Sequence, residues 1–315
     1  MSRKNFLTAV GTLGVLLLAA NAFAQTVSFG WRAGDSAELT YEKTRRGGAS
    51  ISATSLLVVK DSSDSGRLSI ELSEFKLQTP SLPASKTQAP TVTPQEVLSL
   101  VLPNFSVNRD GGEFRVTDRA SHLMNATRIL EATAKATGLT QDAKTVLQNF
   151  SGQSFDNLML ALAEGTWNLW VAEWQSLDLQ KLPVQTNSTV ELMGQSVPVD
   201  VLLEATKLDI PNRWRISVTT KPTDSSLFGR LLLARIEQTI GGTEKGRAEI
   251  DKLRKEFSLG SPEWTRRITV DLASDVARPY SAEMEDTIKG IENGKPNTER
   301  QLTRYKFSWR DGTAR

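Results

Sequence analysis

The chain has 315 residues, with 38 Lys and Arg against 36 Asp and Glu, seven tryptophans, a single histidine and no cysteine. The missing cysteines exclude disulfides, thiolate metal sites and a cysteine nucleophile. With one histidine, His122, no multi-histidine zinc site can be built within the chain.

At the N-terminus, Arg3 and Lys4 precede an apolar run from Leu13 to Ala20, and Ala22-Phe23-Ala24 sets small residues at the two positions a signal peptidase reads. The expectation is a cleaved export signal over residues 1–24, too short to span a bilayer of ~30 Å. Removing it takes away two basic groups and no acid, leaving 36 of each sign. That balance gives no long-range attraction to nucleic acid or anionic lipid. No cysteine follows the cleavage point, so no lipid-modified cysteine can anchor the mature chain. The reading is a soluble periplasmic or secreted protein without membrane insertion after cleavage, with residues 25–315 as one domain.

Residues 36–77 alternate with period two. Ala37, Leu39 and Tyr41 oppose Glu38, Thr40 and Glu42, the stretch from Ile51 to Lys60 is more fully apolar, and Leu68, Ile70 and Leu72 alternate with polar neighbours. Gly47-Gly48 and the turn residues ending at Gly66 separate them. A three-stranded antiparallel meander is expected, its middle strand buried on both faces. Residues 79–94 hold four prolines and no dense apolar pattern, which predicts an exposed loop, either an idle excursion or a lid. A hairpin is expected over 104–118, with Phe105 and Val107 facing Phe114 and Val116 across Arg109-Asp110-Gly111-Gly112.

Helical periodicity takes over across 119–177. Asp118 is placed to cap a helix with Leu123, Thr127, Leu130 and Ala134 on one side, closed by Gly138, and a second short helix follows Thr140. His122 reads as a partly exposed helix residue. Strands return over 189–221, with a tight turn at Met193-Gly194-Gln195, inward Val199, Val201 and Leu203, and then Trp214, Ile216 and Val218. Helices over 225–257 begin after Asp224 or Ser225 as cap, and carry Phe228, Leu231 and Ile236, then Ile250, Leu253 and Phe257, inward.

Three strands over 264–310 finish the pattern. In the last, Tyr305, Phe307 and Trp309 share one face; on the other, Arg304 and Lys306 are expected beside Glu283 and Glu285 of the preceding strand. Asp286 falls on the apolar face with Met284 and Ile288, which calls for a frayed edge, a bulge or a buried partner, the edge being the preferred reading.

The densest aromatic stretch is EGTWNLWVAEWQSL, residues 164–177, with Trp167, Trp170 and Trp174. At ~100° per residue, Phe155, Leu158, Met159 and Leu162 point about 100° away from these tryptophans, so one straight helix would not bury both sets. Gly165 and Thr166 are expected to end one helix and cap the next. The tryptophan stripe can be core against the sheet, the wall of a ligand pocket, or a membrane-surface helix. The last is disfavoured because residues 145–180 contain no Lys or Arg.

No phosphate loop, metalloprotease helix or nucleophile elbow is present. Ser73-Glu74-Phe75-Lys76 fits the short S-x-x-K pattern, but on a strand rather than at the helix start that chemistry needs. On a strand, residues three apart point to opposite faces. No catalytic residue, metal ligand or cofactor is assigned.

These patterns predict an α+β fold: a mainly antiparallel sheet of about ten strands, strongly curved or half-barrel, with two helical inserts covering one face. Carriers of apolar molecules also use that architecture, an analogy at the level of fold alone. The leading functional expectation is non-enzymatic binding of an apolar small molecule, or of an envelope protein. Trp167, Trp170, Trp174, Tyr305 and Phe307 are the candidate ligand residues. A carboxylate-based hydrolase and a ligand-free structural protein are the competing classes.

Overall fold

The first strand and the last lie side by side. β1 (Ser36–Thr44) pairs antiparallel with β11 (Lys295–Arg310), from Ser36 opposite Arg310 to Thr44 opposite Leu302. Two meanders spread from that seam. One holds β2 (Ser50–Asp61), β3 (Arg67–Leu77), β4 (Phe105–Asn108) and β5 (Arg115–Val116). The other holds β10 (Arg278–Glu292), β9 (Glu263–Ala273), β8 (Arg213–Pro222), β7 (Gln195–Lys207) and β6 (Val184–Leu192). Together they form one antiparallel sheet of eleven strands that does not close into a barrel, with β5 and β6 at its edges. Among the described residues, two helices, α1 (Arg119–Thr137) and α2 (Gln153–Trp170), come between the meanders in sequence, and α3 (Ser225–Ile240) and α4 (Glu244–Leu259) come between β8 and β9. The expected α+β class is therefore what the chain adopts, with eleven strands for about ten.

This computed structural model describes residues 26–44, 50–64, 66–78, 98–100, 102–137, 153–242, 244–292 and 295–310. The expected export signal, Gly47-Gly48, the proline-rich stretch 79–94, Gly138, the short helix after Thr140 and the side chains of Leu130 and Ala134 lie outside the described residues.

Strand alternation decides which face is buried. Ala53, Tyr41, Tyr305, Ala282, Val270 and Ile216 stand opposite one another across six strands, all buried. One residue along, Glu42, Arg304 and Glu283 make the outward row, where Arg304 Nε donates to Glu283 at 2.7 Å. Glu285 departs from the expected pairing: the hairpin register sets it opposite Leu302, and Arg300 approaches it at 3.4 Å instead. The middle strand of the first meander is buried on one face only. Ala53, Ser55, Leu57 and Val59 are covered, whereas Thr54, Leu56 and Val58 are half-buried.

Local signals hold where backbone chemistry is specific. Met193 and Gly194 join β6 to β7 with φ of 53° and 79°, the two left-handed residues of a primed hairpin turn. Asp224 caps α3, its side chain accepting from Ser226 N at 2.9 Å. Phe228 and Leu231 of α3 join the same buried cluster as the inward strand residues.

α2 does not break at Gly165. It runs unbroken from Gln153 to Trp170, and the chain leaves helical geometry only at Val171, before a 3-10 turn at Ala172–Trp174. The buried row is Phe155, Met159, Ala163 and Trp167. Each step of four residues turns this row by ~40°, about 120° from first to last, so it winds gradually around the helix as it crosses a twisted sheet. Leu158 and Leu162, counted as inward by the helical wheel, are only half-buried. The 100° offset is thus the drift of one stripe.

Candidate functional site

The aromatic residues gather where α2 lies over the seam of the sheet. Trp170 meets Phe307 edge-on at 5.0 Å and Tyr305 at 5.3 Å. Trp167 packs against Trp31 at 5.3 Å and Phe105 at 5.5 Å, and its indole N–H donates to the Gly111 carbonyl at 3.1 Å. Trp174 donates to the Leu169 carbonyl at 2.9 Å. All three tryptophans are at most 2% exposed. A tryptophan taken out of water removes ~200 Å² of surface, worth of order 5 kcal/mol as an upper estimate, with each edge-on ring contact adding ~1 kcal/mol.

A cavity of about 180 Å³ opens beside this cluster, between α2 and the inward face of the sheet. Leu162, Leu169, Ile268 and Met284 supply apolar wall, and Ala161 and Gly165 stand on the same flank of α2. Those two small residues, four apart, leave unfilled space where larger side chains would reach the sheet. Gly165 is therefore a residue of the cavity wall. In a helix interior it costs about 1 kcal/mol relative to alanine, which the packing of α2 tolerates.

Of the five candidate residues, Tyr305 lines this cavity, while Trp167, Trp170 and Phe307 belong to the aromatic cluster next to it and Trp174 to the same buried core. Tyr305 carries its ring into the core and its hydroxyl toward Thr166. Burial, then the neighbouring Tyr41, push its ionisation upward, and the Thr166 hydrogen bond opposes them.

The polar end of the cavity is where sequence reasoning missed the site. Glu173, on the 3-10 turn after α2, lines it with Arg266 of β9 and Lys43 of β1. Arg266 is held by Asp286, Nε to Oδ1 at 2.9 Å and Nη2 to Oδ2 at 3.1 Å, and Trp264 Nε1 donates to the same Oδ1 at 3.0 Å. Asp286 is thus an inward carboxylate with a full set of partners, not a frayed edge; β9 pairing places Arg266 directly opposite it. Glu173 receives no such support. No hydrogen bond or ion pair reaches it from the described residues, and burial pushes its carboxyl up to about 7, with the Arg266 charge pulling the other way. One carboxylate can act as an acid or base, but Asp286 is committed to Arg266 and Trp264, so among the described residues no free pair of carboxylates faces the cavity.

His122 lies apart from the cavity on α1. It is buried, at 3% exposure, rather than partly exposed. Burial holds its pKa below the usual histidine value despite the opposing charge of Asp118 and a hydrogen bond with the Thr117 backbone. Ser73 and Lys76 both lie on β3, where a bulge at Glu74, with φ of 53°, resets the register. They stand opposite Leu56 and Thr54, so the two share the outer face instead of alternating, still without a helix start. Among the described residues no group of three or more His, Asp or Glu is placed to hold a metal ion. No helix there is long and apolar enough to cross a membrane.

No protein-family model matches the chain, and no curated protein sequence matches it.

Proposed function

We propose that this is an exported, non-enzymatic binding protein of the cell envelope, which holds an apolar small molecule between α2 and the sheet. The observation that carries the reading is the cavity of about 180 Å³ walled by Leu162, Leu169, Ile268 and Met284. A dry cavity of about 150 Å³ is enough to take up benzene, so this one suits an aromatic ring or a short alkyl segment of a larger molecule. The tryptophan cluster then serves as a rigid wall behind the ligand, with Tyr305 shared by both.

Mass spectrometry of solvent extracts tests this, comparing protein purified from its native compartment with the cavity-filled variant Ala161→Phe. An apolar molecule should accompany the wild type and be lost from the variant. Equal recovery from both, or nothing bound to either, would remove the reading. Export belongs to the same proposal, and an intact mass beginning at Gln25 in the native compartment is its expected signature.

A further inference from the structure

We propose that the ligand carries a cationic amine on its apolar body, and that the amine seats against Glu173. This rests on the reading of the cavity as a ligand site and specifies the chemistry of its polar end. Among the described residues, the charged and titratable groups facing that end are Lys43 and Tyr41 of β1, Arg266 of β9, Tyr305 of β11 and Glu173 itself, with Asp286 of β10 behind Arg266.

The two acids differ in what answers them. Asp286 has a two-point guanidinium bond and an indole N–H. Arg266 is bonded to Asp286, and its charge reaches Glu173 only through space, without a hydrogen bond or ion pair between the two. Lys43 lines the same end of the cavity. Glu173 faces the cavity with no hydrogen bond or ion pair from the described residues, and burial pushes its carboxyl up to about 7. A carboxylate in a half-buried site is stabilised by a positive partner within hydrogen-bond reach, and no described residue makes such a bond to Glu173. The cation has to arrive with the ligand. An anionic head would have to displace Asp286 from Arg266, and a neutral head would leave the charge unanswered.

Protonation gives the test its direction. An alkylamine keeps its proton across the neutral range, as lysine does at ~10.4. It binds the ionised form of Glu173, so affinity should fall as that carboxyl takes up a proton. Calorimetry with n-hexylamine, n-hexanol and n-hexanoate at pH 8 and pH 6 makes the comparison. Hexylamine should bind best at pH 8 and weaken about tenfold by pH 6, while hexanol stays level. Glu173→Gln should abolish both the amine preference and its pH dependence and leave hexanol binding in place, which shows that the variant is folded. Ala161→Phe should block all three ligands.

The outcomes separate the two proposals. If hexanol binds and hexylamine binds no better, the amine inference fails and the apolar-ligand reading stands. If hexanoate binds tightest, the cation assignment is overturned in favour of Arg266 or Lys43. If none of the three binds in a manner that Ala161→Phe blocks, both proposals fall.

Discussion

The two flanks of α2 face the same sheet and end differently. Along one, Phe155, Met159, Ala163, Trp167 and Trp170 are buried without remainder; along the other, Ala161, Leu162, Gly165 and Leu169 leave a gap. The difference teaches how a cavity forms here. Large rings on the filled flank hold the helix at a fixed distance from β10 and β11, and small residues on the next flank cannot span it. Core and cavity are one packing solution, in which the first sets the height of the second.

Breaking the filled flank should have the largest effect. Trp170→Ala removes a fully buried ring that touches Tyr305 and Phe307, and a buried tryptophan truncated to alanine costs about 3–5 kcal/mol. Denaturant unfolding should show a loss of that size. A loss under about 1 kcal/mol would mean that the aromatic cluster does not support the helix. Next comes the wall of the cavity. Arg266→Met strips Asp286 of its guanidinium and leaves a mostly buried carboxylate with only the Trp264 N–H, so a loss of about 1–3 kcal/mol is expected. The double variant Arg266→Met with Asp286→Leu should recover part of it, because an apolar pair no longer leaves a charge unanswered.

The fold was legible where periodicity is enforced by burial on one face. Alternation in Ala37 to Tyr41, Val199 to Leu203 and Trp214 to Val218 set the strands, and Met193-Gly194 set a turn that only left-handed residues make. The site was legible only in fragments. Asp286 stood out as an acid on an apolar face, but its partner lies 20 positions earlier on a strand whose register the local pattern does not encode. Gly165 points in the sequence to a helix stop, since a glycine beside a phase change looks the same whether the helix ends or a wall is left thin. Glu173 gave no signal, because its isolation depends on which charges the sheet has already paired.

Glu173 also couples the open flank to pH. Its carboxyl is raised in the folded protein to about 7 from an ordinary value of 4.5, so the folded state binds the proton more tightly than the unfolded chain. Stability from this group is fully present below pH 4.5 and is lost as pH rises through about 7. His122 works in the opposite direction, its lowered value removing stability as pH falls below about 6.5. The difference between wild type and Glu173→Gln isolates the carboxylate. The variant should gain about 1–2 kcal/mol on the wild type at pH 8, with the gap closing toward pH 5. A gap that does not change with pH would show that folding does not raise the Glu173 carboxyl, and a gap that widens in the opposite direction would show that it is paired in the folded protein.

The smallest effect probes the comparison most directly. Gly165→Ala adds one methyl group to the thin wall without touching the aromatic flank. In a helix interior alanine is favoured over glycine by about 0.5–1 kcal/mol, and Gly165 is part of the cavity wall, where a methyl group has room if the gap is genuine. The variant should therefore be more stable by that amount and bind a six-carbon probe more weakly, because the methyl takes part of a space of about 180 Å³. Stability and binding moving in opposite directions is the signature of a wall kept thin for a ligand. If both fall, the methyl is striking packed atoms, and the gap beside Gly165 is part of the core rather than a place for a ligand.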